Sequence, residues 1–404
     1  MNNERNSRVL SLVFVFCFLF SIGTFVRNLS LTADKKVEEH QITGVDYADY
    51  YAAGRMVIEG DTANIYHDPI HQQRLEEILG RDLSFTLAWP YPPTFLLAIV
   101  PLAYLPYYAS LITWMVLTLA LVIHSVYKLV PEYPKLTLLA LGFPGMYWTL
   151  KWGQNGFLSS GLIGFALYFL ESNPVLSGIL FGLLSYKPQI AIFPFLLLLL
   201  SKKWRVLLWS AVSATVLAVV SGFIFGFGTW VNFFNSFFST SSDRYLDWSN
   251  YALINPSLYS FFRIPIRSDF FSYAALAVCG IAVLFAACWI WRKTDNLALK
   301  GAALVIGIPL TTSYFLQYDL SILVIPLVLL AYDFARNGFK RRELIILEML
   351  FLMPLINMRL VYATGVQICP VVLIIVLLMT IERARTGHKE GQFAKMDGIP
   401  LRDI

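Results

Sequence analysis

Apolar runs long enough to cross roughly 30 Å of hydrocarbon recur down the whole of this 404-residue chain. Lipid offers nothing to hydrogen-bond a peptide group, so each run must form a helix that satisfies its own backbone or belong to a closed barrel. A barrel shows short segments of alternating polarity, and the sequence has none. With 57% hydrophobic and only 14% charged residues, and a mean hydropathy of +0.62, the chain falls outside every soluble class. The expected fold is an all-α polytopic transmembrane bundle of about 11–13 helices. It forms one integral domain over residues 1–382, followed by a polar cytoplasmic tail, 383–404.

The first run, Val9 to Val26, follows Arg5 and Arg8. It is longer than the apolar core of a signal peptide, about 7–15 residues, and SIGTFVRNLS offers no small-x-small cleavage site. It reads as a retained first helix with a cytoplasmic N-terminus. The four cysteines, Cys17, Cys279, Cys288 and Cys369, all lie in apolar runs, where a thiol behaves as a small hydrophobe, and no disulfide or zinc spacing appears. The net charge of +5 is spread over short loops, a pattern that suits membrane orientation and not nucleic acid.

Between Leu29 and Trp89 the character changes: eleven acidic residues stand against five basic ones. An acidic loop after a cytoplasmic start belongs outside. It holds two short helices, Tyr47 to Ile58 stopped by Gly60 and His67 to Leu79 stopped by Gly80, expected along the outer membrane surface. A second outer loop, 226–268, is dense in aromatics, as an interfacial belt also would be. Basic clusters at Lys202/Lys203/Arg205, Arg292/Lys293, Arg336/Lys340/Arg341/Arg342 and Arg383/Arg385/Lys389 mark the cytoplasmic side. Helices near 206–225, 270–291, 299–313, 319–335, 343–357 and 362–381 then cross in turn. The alternation fails upstream unless one segment does not cross: either Pro92 to Leu105, bracketed by prolines and re-entrant, or a broken pair between 134 and 186.

Polar groups kept at membrane depth are functional candidates, because holding them there is costly. Asp46 and Asp49, WPYPP (Trp89–Pro93), KWGQN (Lys151–Asn155), YKPQ (Tyr186–Gln189), NPS (Asn255–Ser257) and QYD (Gln317–Asp319) all fall on the outer face. Asp46 is placed to act as a general base, and equally to cap the helix that follows it. Asp49 fits a first-turn carboxylate favoured by the helix dipole, and Asp319 is open to the same capping role as Asp46. Lys187 either snorkels to the interface or neutralises an anionic headgroup. Arg244, Arg263, Arg267 and Arg359 are outer-face cations of the same kind. No GxxxxGK[ST], HExxH or DxD pattern occurs, and the five histidines (His40, His67, His71, His124, His388) form no metal set, so a metal-bound nucleotide-sugar enzyme is not expected.

The order VDYADYYAAGRMVIEGDTANIYH, YPPTFLLAIVPLAYLP, WGQNGFLSSGLIGFALYF, GILFGLLSYKPQIAIFPFLLLL with KKWR, and SYFLQYDLSILVIPL, over roughly residues 44–330, resembles the polyprenol-phosphate-dependent GT-C glycosyltransferases. Within them it resembles the bacterial family 87 α-mannosyltransferase-like proteins. The resemblance implies a GT-C-type bundle in the plasma (inner) membrane. A hexose, mannose for preference, would pass from a polyprenyl-phosphate donor to a cell-envelope glycan or glycolipid acceptor on the extracytoplasmic side, without a cofactor. It implies Asp46 as general base, with Asp319 the other carboxylate able to move the proton. Lys187, Arg244, Arg263 and Arg359 would hold the donor phosphate, and Asp49, Tyr50, Gln154, Asn155, Gln189 and Tyr318 would line the substrate pocket. Two readings from other classes compete. A transporter or flippase of a lipid-linked saccharide would show internal repeats, and none is evident. A scaffold would tolerate loss of Asp46, Lys187 and Asp319.

Overall fold

A computed structural model describes Gly23 and residues 44–80, 82–83, 86–243 and 248–386, the side chains of 239–250 apart. The first apolar run, Gly23 excepted, and residues 387–404 lie outside the described residues. Every regular element described is helical. In chain order the α-helices are α1 (Val45–Ile58), α2 (Asp68–Leu79), α3 (Leu96–Ile99), α4 (Tyr107–Leu129), α5 (Thr137–Gly142), α6 (Gly145–Trp152), α7 (Gly156–Tyr168), α8 (Pro174–Leu183) and α9 (Pro188–Leu200). They continue with α10 (Trp204–Phe225), α11 (Phe227–Asp243), α12 (Trp248–Ile254), α13 (Leu258–Ile266), α14 (Asp269–Lys293), α15 (Leu297–Thr311), α16 (Val324–Asn337), α17 (Arg341–Thr364) and α18 (Cys369–Thr386).

Among the described residues five helical stretches are long and apolar enough to cross a membrane: Tyr107–Leu129, Trp204–Phe225, Asp269–Lys293, Gln317–Asn337 and Arg341–Thr364. Gln317–Asn337 forms the centre, 89% buried across its most apolar window against 22–44% for the other four, whose outer faces are free to meet lipid. Of four shorter apolar helices, Gly156–Tyr168 and Leu297–Thr311 pack directly against it. At 1.5 Å per residue a 13-residue helix spans only about 20 Å, less than the hydrocarbon thickness.

Both segments that upset the predicted alternation are broken. Five prolines between Trp89 and Tyr107 leave room only for the single turn of α3 and for 3₁₀ turns at Pro93–Phe95 and Leu102–Tyr104, so this stretch does not cross as one helix. Residues 134–200 form short helices, α5 to α9, with breaks at 143–144, 153–155, 169–173 and 187.

The polar residues gather at two ends of the bundle. At one end the predicted basic clusters meet their partners: Lys203 pairs with Glu171 at 2.7 Å, Arg292 donates to the Leu200 carbonyl at 2.7 Å, and Arg342 pairs with Glu382. Arg383 is buried there, reaching Asp333 Oδ2 at 2.7 Å, Glu343 Oε2 at 2.9 Å and the Gly338 carbonyl at 3.0 Å. α18 therefore continues past residue 382, tied down by a buried cation. At the other end lie the breaks at 153–155 and 187 and nearly all the outer-face motifs. Because Glu171 and Lys203 are in contact, α8 and α9 run out and back, and Lys187 marks their turning point.

Candidate active site

α1 begins at Val45, so Asp46 is in its first turn, and Gly44 takes the N-cap position with a left-handed backbone (φ 76°). Glycine adopts this positive φ without steric cost. Asp46 does not cap the helix: its carboxylate turns away and accepts a hydrogen bond from Gln154 Nε2 at 2.8 Å. The contact depends on a close crossing of two chain segments. The Gly44 N–H donates to the Lys151 carbonyl at 2.9 Å. Gly153 (φ 71°) lies so near α1 that a Cβ there would stand 2.6 Å from Tyr47 Cβ. The GVD and WGQN motifs, far apart in sequence, thus form one corner.

α1 is enclosed rather than laid flat. Ala48 and Ala52 pack against Leu75 of α2, and Gly54 lies against Ile99 and Ala103 of the proline-broken stretch. Small side chains on several sides allow neighbours to close around it, and Val45, Tyr47, Asp49, Tyr50 and Met56 are buried with them. Tyr50 sits in an aromatic cage of Trp89, Tyr91, Phe95 and Trp114, all edge-on to its ring. Its hydroxyl donates to Gln154 Oε1 and shares a 2.9 Å hydrogen bond with Tyr91. Both faces of the Gln154 amide are therefore committed, which fixes the donor that Asp46 receives.

The network continues inward. The Asn155 N–H donates to Gln154 Oε1 at 3.3 Å, and Asn155 Oδ1 accepts from Lys187 Nζ at 2.9 Å. Lys187 Nζ also donates to Asp319 Oδ1 at 2.5 Å, and the two side chains are 1% and 0% exposed. Lys187 lies over the Tyr318 ring at 4.9 Å. Asp319 Oδ2 accepts the Leu316 N–H at 3.2 Å, and Thr149 donates to the Tyr318 carbonyl at 2.6 Å. Each of these residues stands at a helix break: Gln154 and Asn155 between α6 and α7, Lys187 between α8 and α9, Tyr318 and Asp319 in the 3₁₀ turn Gln317–Leu323 before α16. Irregular backbone in a membrane bundle is tolerated where protein encloses it or where it lines a cavity.

Asp46 is half-buried, so it is reachable while most of its surroundings are protein. Burial, with the like charge of Asp49 one turn along, pushes its carboxyl up to about 7; the Gln154 hydrogen bond and the more distant Lys187 charge act the other way. A carboxyl poised there takes up and releases a proton near neutrality, as a general base must.

The structure thus brings Asp46, Tyr50, Gln154, Asn155, Lys187, Tyr318 and Asp319 into one connected cluster. Asp49, nearly one turn further along α1, is bonded elsewhere, accepting from His71 Nε2 of α2 at 2.6 Å. Gln189 is in the first turn of α9, partly exposed. Arg263 pairs with Asp269 at 2.7 Å, Arg359 is exposed on α17, and Arg244 lies outside the described residues. Three participants were given no role of their own from sequence, two of them inside motifs noted above. Tyr91, of the WPYPP motif, supplies the second hydroxyl on Gln154 at 3.3 Å. His71 carries no local signal, because its partner is on another helix. Lys151, on the last turn of α6, holds its ammonium 5.2 Å from the Trp148 ring centre and 4.7 Å from that of Trp152, and makes no ion pair among the described residues. Asn255, of NPS, stitches the outer loop to this end: it donates to the Ser313 carbonyl at 2.7 Å and accepts the Phe315 N–H at 3.0 Å.

Among the described residues no group of three or more His, Cys, Asp or Glu could hold a metal ion. The family model of glycosyltransferase family 87 matches residues 89–316, more than half of the chain. The match takes in Trp89, Tyr91, Lys151, Gln154, Asn155 and Lys187; it begins after Asp46 and ends just before Gln317. Comparison with curated proteins and with solved structures gives no match.

Proposed function

The chain belongs to glycosyltransferase family 87, and from that premise we propose that it moves a hexose, mannose for preference, from a polyprenyl-phosphate donor to a cell-envelope glycan or glycolipid, with Asp46 as general base. The observation that carries the reading is the half-buried Asp46 carboxylate, held by Gln154 at 2.8 Å at the end of the bundle where the helices break. In the proposed step the acceptor oxygen attacks the anomeric carbon and gives its proton to Asp46. The bond from that carbon to the phosphate oxygen breaks, and the polyprenyl phosphate leaves with the electron pair, so the displacement inverts the anomeric centre. The leaving phosphate gains charge and needs a cation. Lys187 would have to give up Asp319 to serve, whereas Lys151 has no anion to release and sits between two tryptophans of the kind that favour a membrane interface. Lys151 is therefore assigned to the donor phosphate, and Lys187 to holding Asn155 in place for a sugar hydroxyl. The positive-inside bias supports an orientation in the plasma membrane with the basic end in the cytoplasm and Asp46 on the extracytoplasmic side.

The donor class is tested by supplying membranes containing the protein with radiolabelled polyprenyl-phosphate mannose or a nucleotide-linked mannose, together with a lipid extract as acceptor source. Transfer from the lipid-linked sugar alone supports the reading. Transfer from the nucleotide sugar alone contradicts it.

A further inference from the structure

His71 and Asp49 form a buried pair that the proposed step does not use. His71 is fully buried and Asp49 is 5% exposed, and Nε2 lies 2.6 Å from Oδ1. A histidine nitrogen facing a carboxylate oxygen at that distance donates a proton to it, and a bond of this kind sustains negative charge in a site closed to water. Asp49 follows Asp46 by three residues on the same helix, which places the two side chains on neighbouring positions of one face, roughly 5–6 Å apart at Cβ. The titratable and charged groups around this pair of aspartates come from every element packed on them: Tyr47 and Tyr50 on α1, His71 on α2, Tyr91 in the proline-broken stretch, Tyr107 on α4, Lys187 between α8 and α9, and Tyr318 before α16. Only Asp49 brings a like charge beside Asp46 from within its own turn of helix.

We propose that His71 is a positioning residue for glycosyl transfer: delivered by α2, it keeps a negative charge on Asp49 and through it sets the charge state of Asp46, where the acceptor proton arrives. The second outer-loop helix is then part of the working site although none of its side chains reaches Asp46.

The inference rests on the reading of Asp46 given above, and its test is chosen to need no turnover. The full-length protein in lipid nanodiscs is titrated by infrared difference spectroscopy, with the Asp46 carboxyl band assigned by its loss in Asp46→Asn. The wild-type midpoint is expected near 7. Asp49→Asn removes the like charge and lowers the midpoint by about one pH unit. His71→Leu shifts it the same way, because buried Asp49 then lacks the hydrogen-bond donor that stabilises its negative charge. The double variant shifts no further than either single one, and His71→Gln, which keeps an N–H donor, restores the wild-type midpoint. A wild-type midpoint in His71→Leu, additive shifts in the double variant, or a His71→Gln midpoint as low as that of His71→Leu overturns the proposal. Should His71→Leu fail to fold, Asp49→Asn, which keeps its size and its acceptor, decides alone: an unmoved midpoint sinks the idea. Midpoints that move as expected in a protein that transfers no lipid-linked sugar leave the pair's effect on Asp46 standing and bring down the transferase reading instead.

Discussion

At the scale of single residues, one carboxyl and one ion pair dominate the candidate site. Because the folded protein holds the Asp46 carboxyl up near 7, the base is protonated below that pH and ionised above it. The rate of transfer at low substrate should therefore climb as pH rises through about 7. Replacing Gln154 with Leu removes the hydrogen bond that favours the ionised form, so the same limb should move to higher pH; a pH–rate profile reads both, and a limb that moves down would be at odds with the geometry. Lys187 and Asp319 pose a different question. They are both buried, so Lys187→Met should destabilise the fold by about 3–5 kcal/mol by leaving a lone buried carboxylate, and Lys187→Met with Asp319→Leu should recover most of that loss. Thermal unfolding in detergent compares the three proteins. The residue types of the site were legible in the sequence: a carboxylate, an amide pair, a lysine and a second carboxylate, each costly beside a membrane. Their pairing was not. The Asp46–Gln154 bond joins residues 108 apart and the Lys187–Asp319 bond residues 132 apart, and no local pattern encodes a contact made only when helices pack.

At the scale of elements, the helix stops were written plainly and the packing was not. Gly60 and Gly80 end α1 and α2 close to where the sequence places them, because both adopt the left-handed backbone that glycine takes without steric cost. The start of α1 came two residues earlier than expected, since Gly44 caps it and frees Asp46 for Gln154. The expectation of two helices resting on a surface follows from their apolar content, but α1 is enclosed because its alanines and Gly54 let neighbours approach from several sides. Gly153 tests the corner that results. Gly153→Ala meets both a positive φ and the Tyr47 side chain, whereas Gly60→Ala meets a positive φ with nothing within 4 Å. Each should cost roughly 1–2 kcal/mol of stability from backbone strain. Only Gly153→Ala should also cut transfer, by more than about tenfold, because a misplacement on the order of 1 Å at the base is enough. Equal rates in the two variants would show that the corner does not position Asp46.

At the scale of the whole molecule, two polar ends are separated by a bundle whose central stretch, Gln317–Asn337, begins beside the site and ends near the basic cluster. The sequence announced the all-helical class and the gathering of basic residues at one end, because charge bias and apolar length act locally. The broken path through 89–106 and 134–200 came through only as a conflict in the count, since a short helix reads as a crossing until its partners are known. The proposed orientation, with the basic end inside, has its own test. A membrane-impermeant maleimide applied to intact cells should label Gln73→Cys on α2 and leave Asp295→Cys at the basic end unlabelled, both side chains being exposed; the reverse pattern would place the site on the opposite face. The central claim, that Asp46 receives the acceptor proton, is met most directly by measuring transfer from radiolabelled polyprenyl-phosphate mannose in membranes holding equal amounts of folded wild-type or Asp46→Asn protein. The account predicts that the substitution lowers the rate by about 10²–10⁴-fold. A wild-type rate from Asp46→Asn would contradict it and shift the chemistry to Asp319.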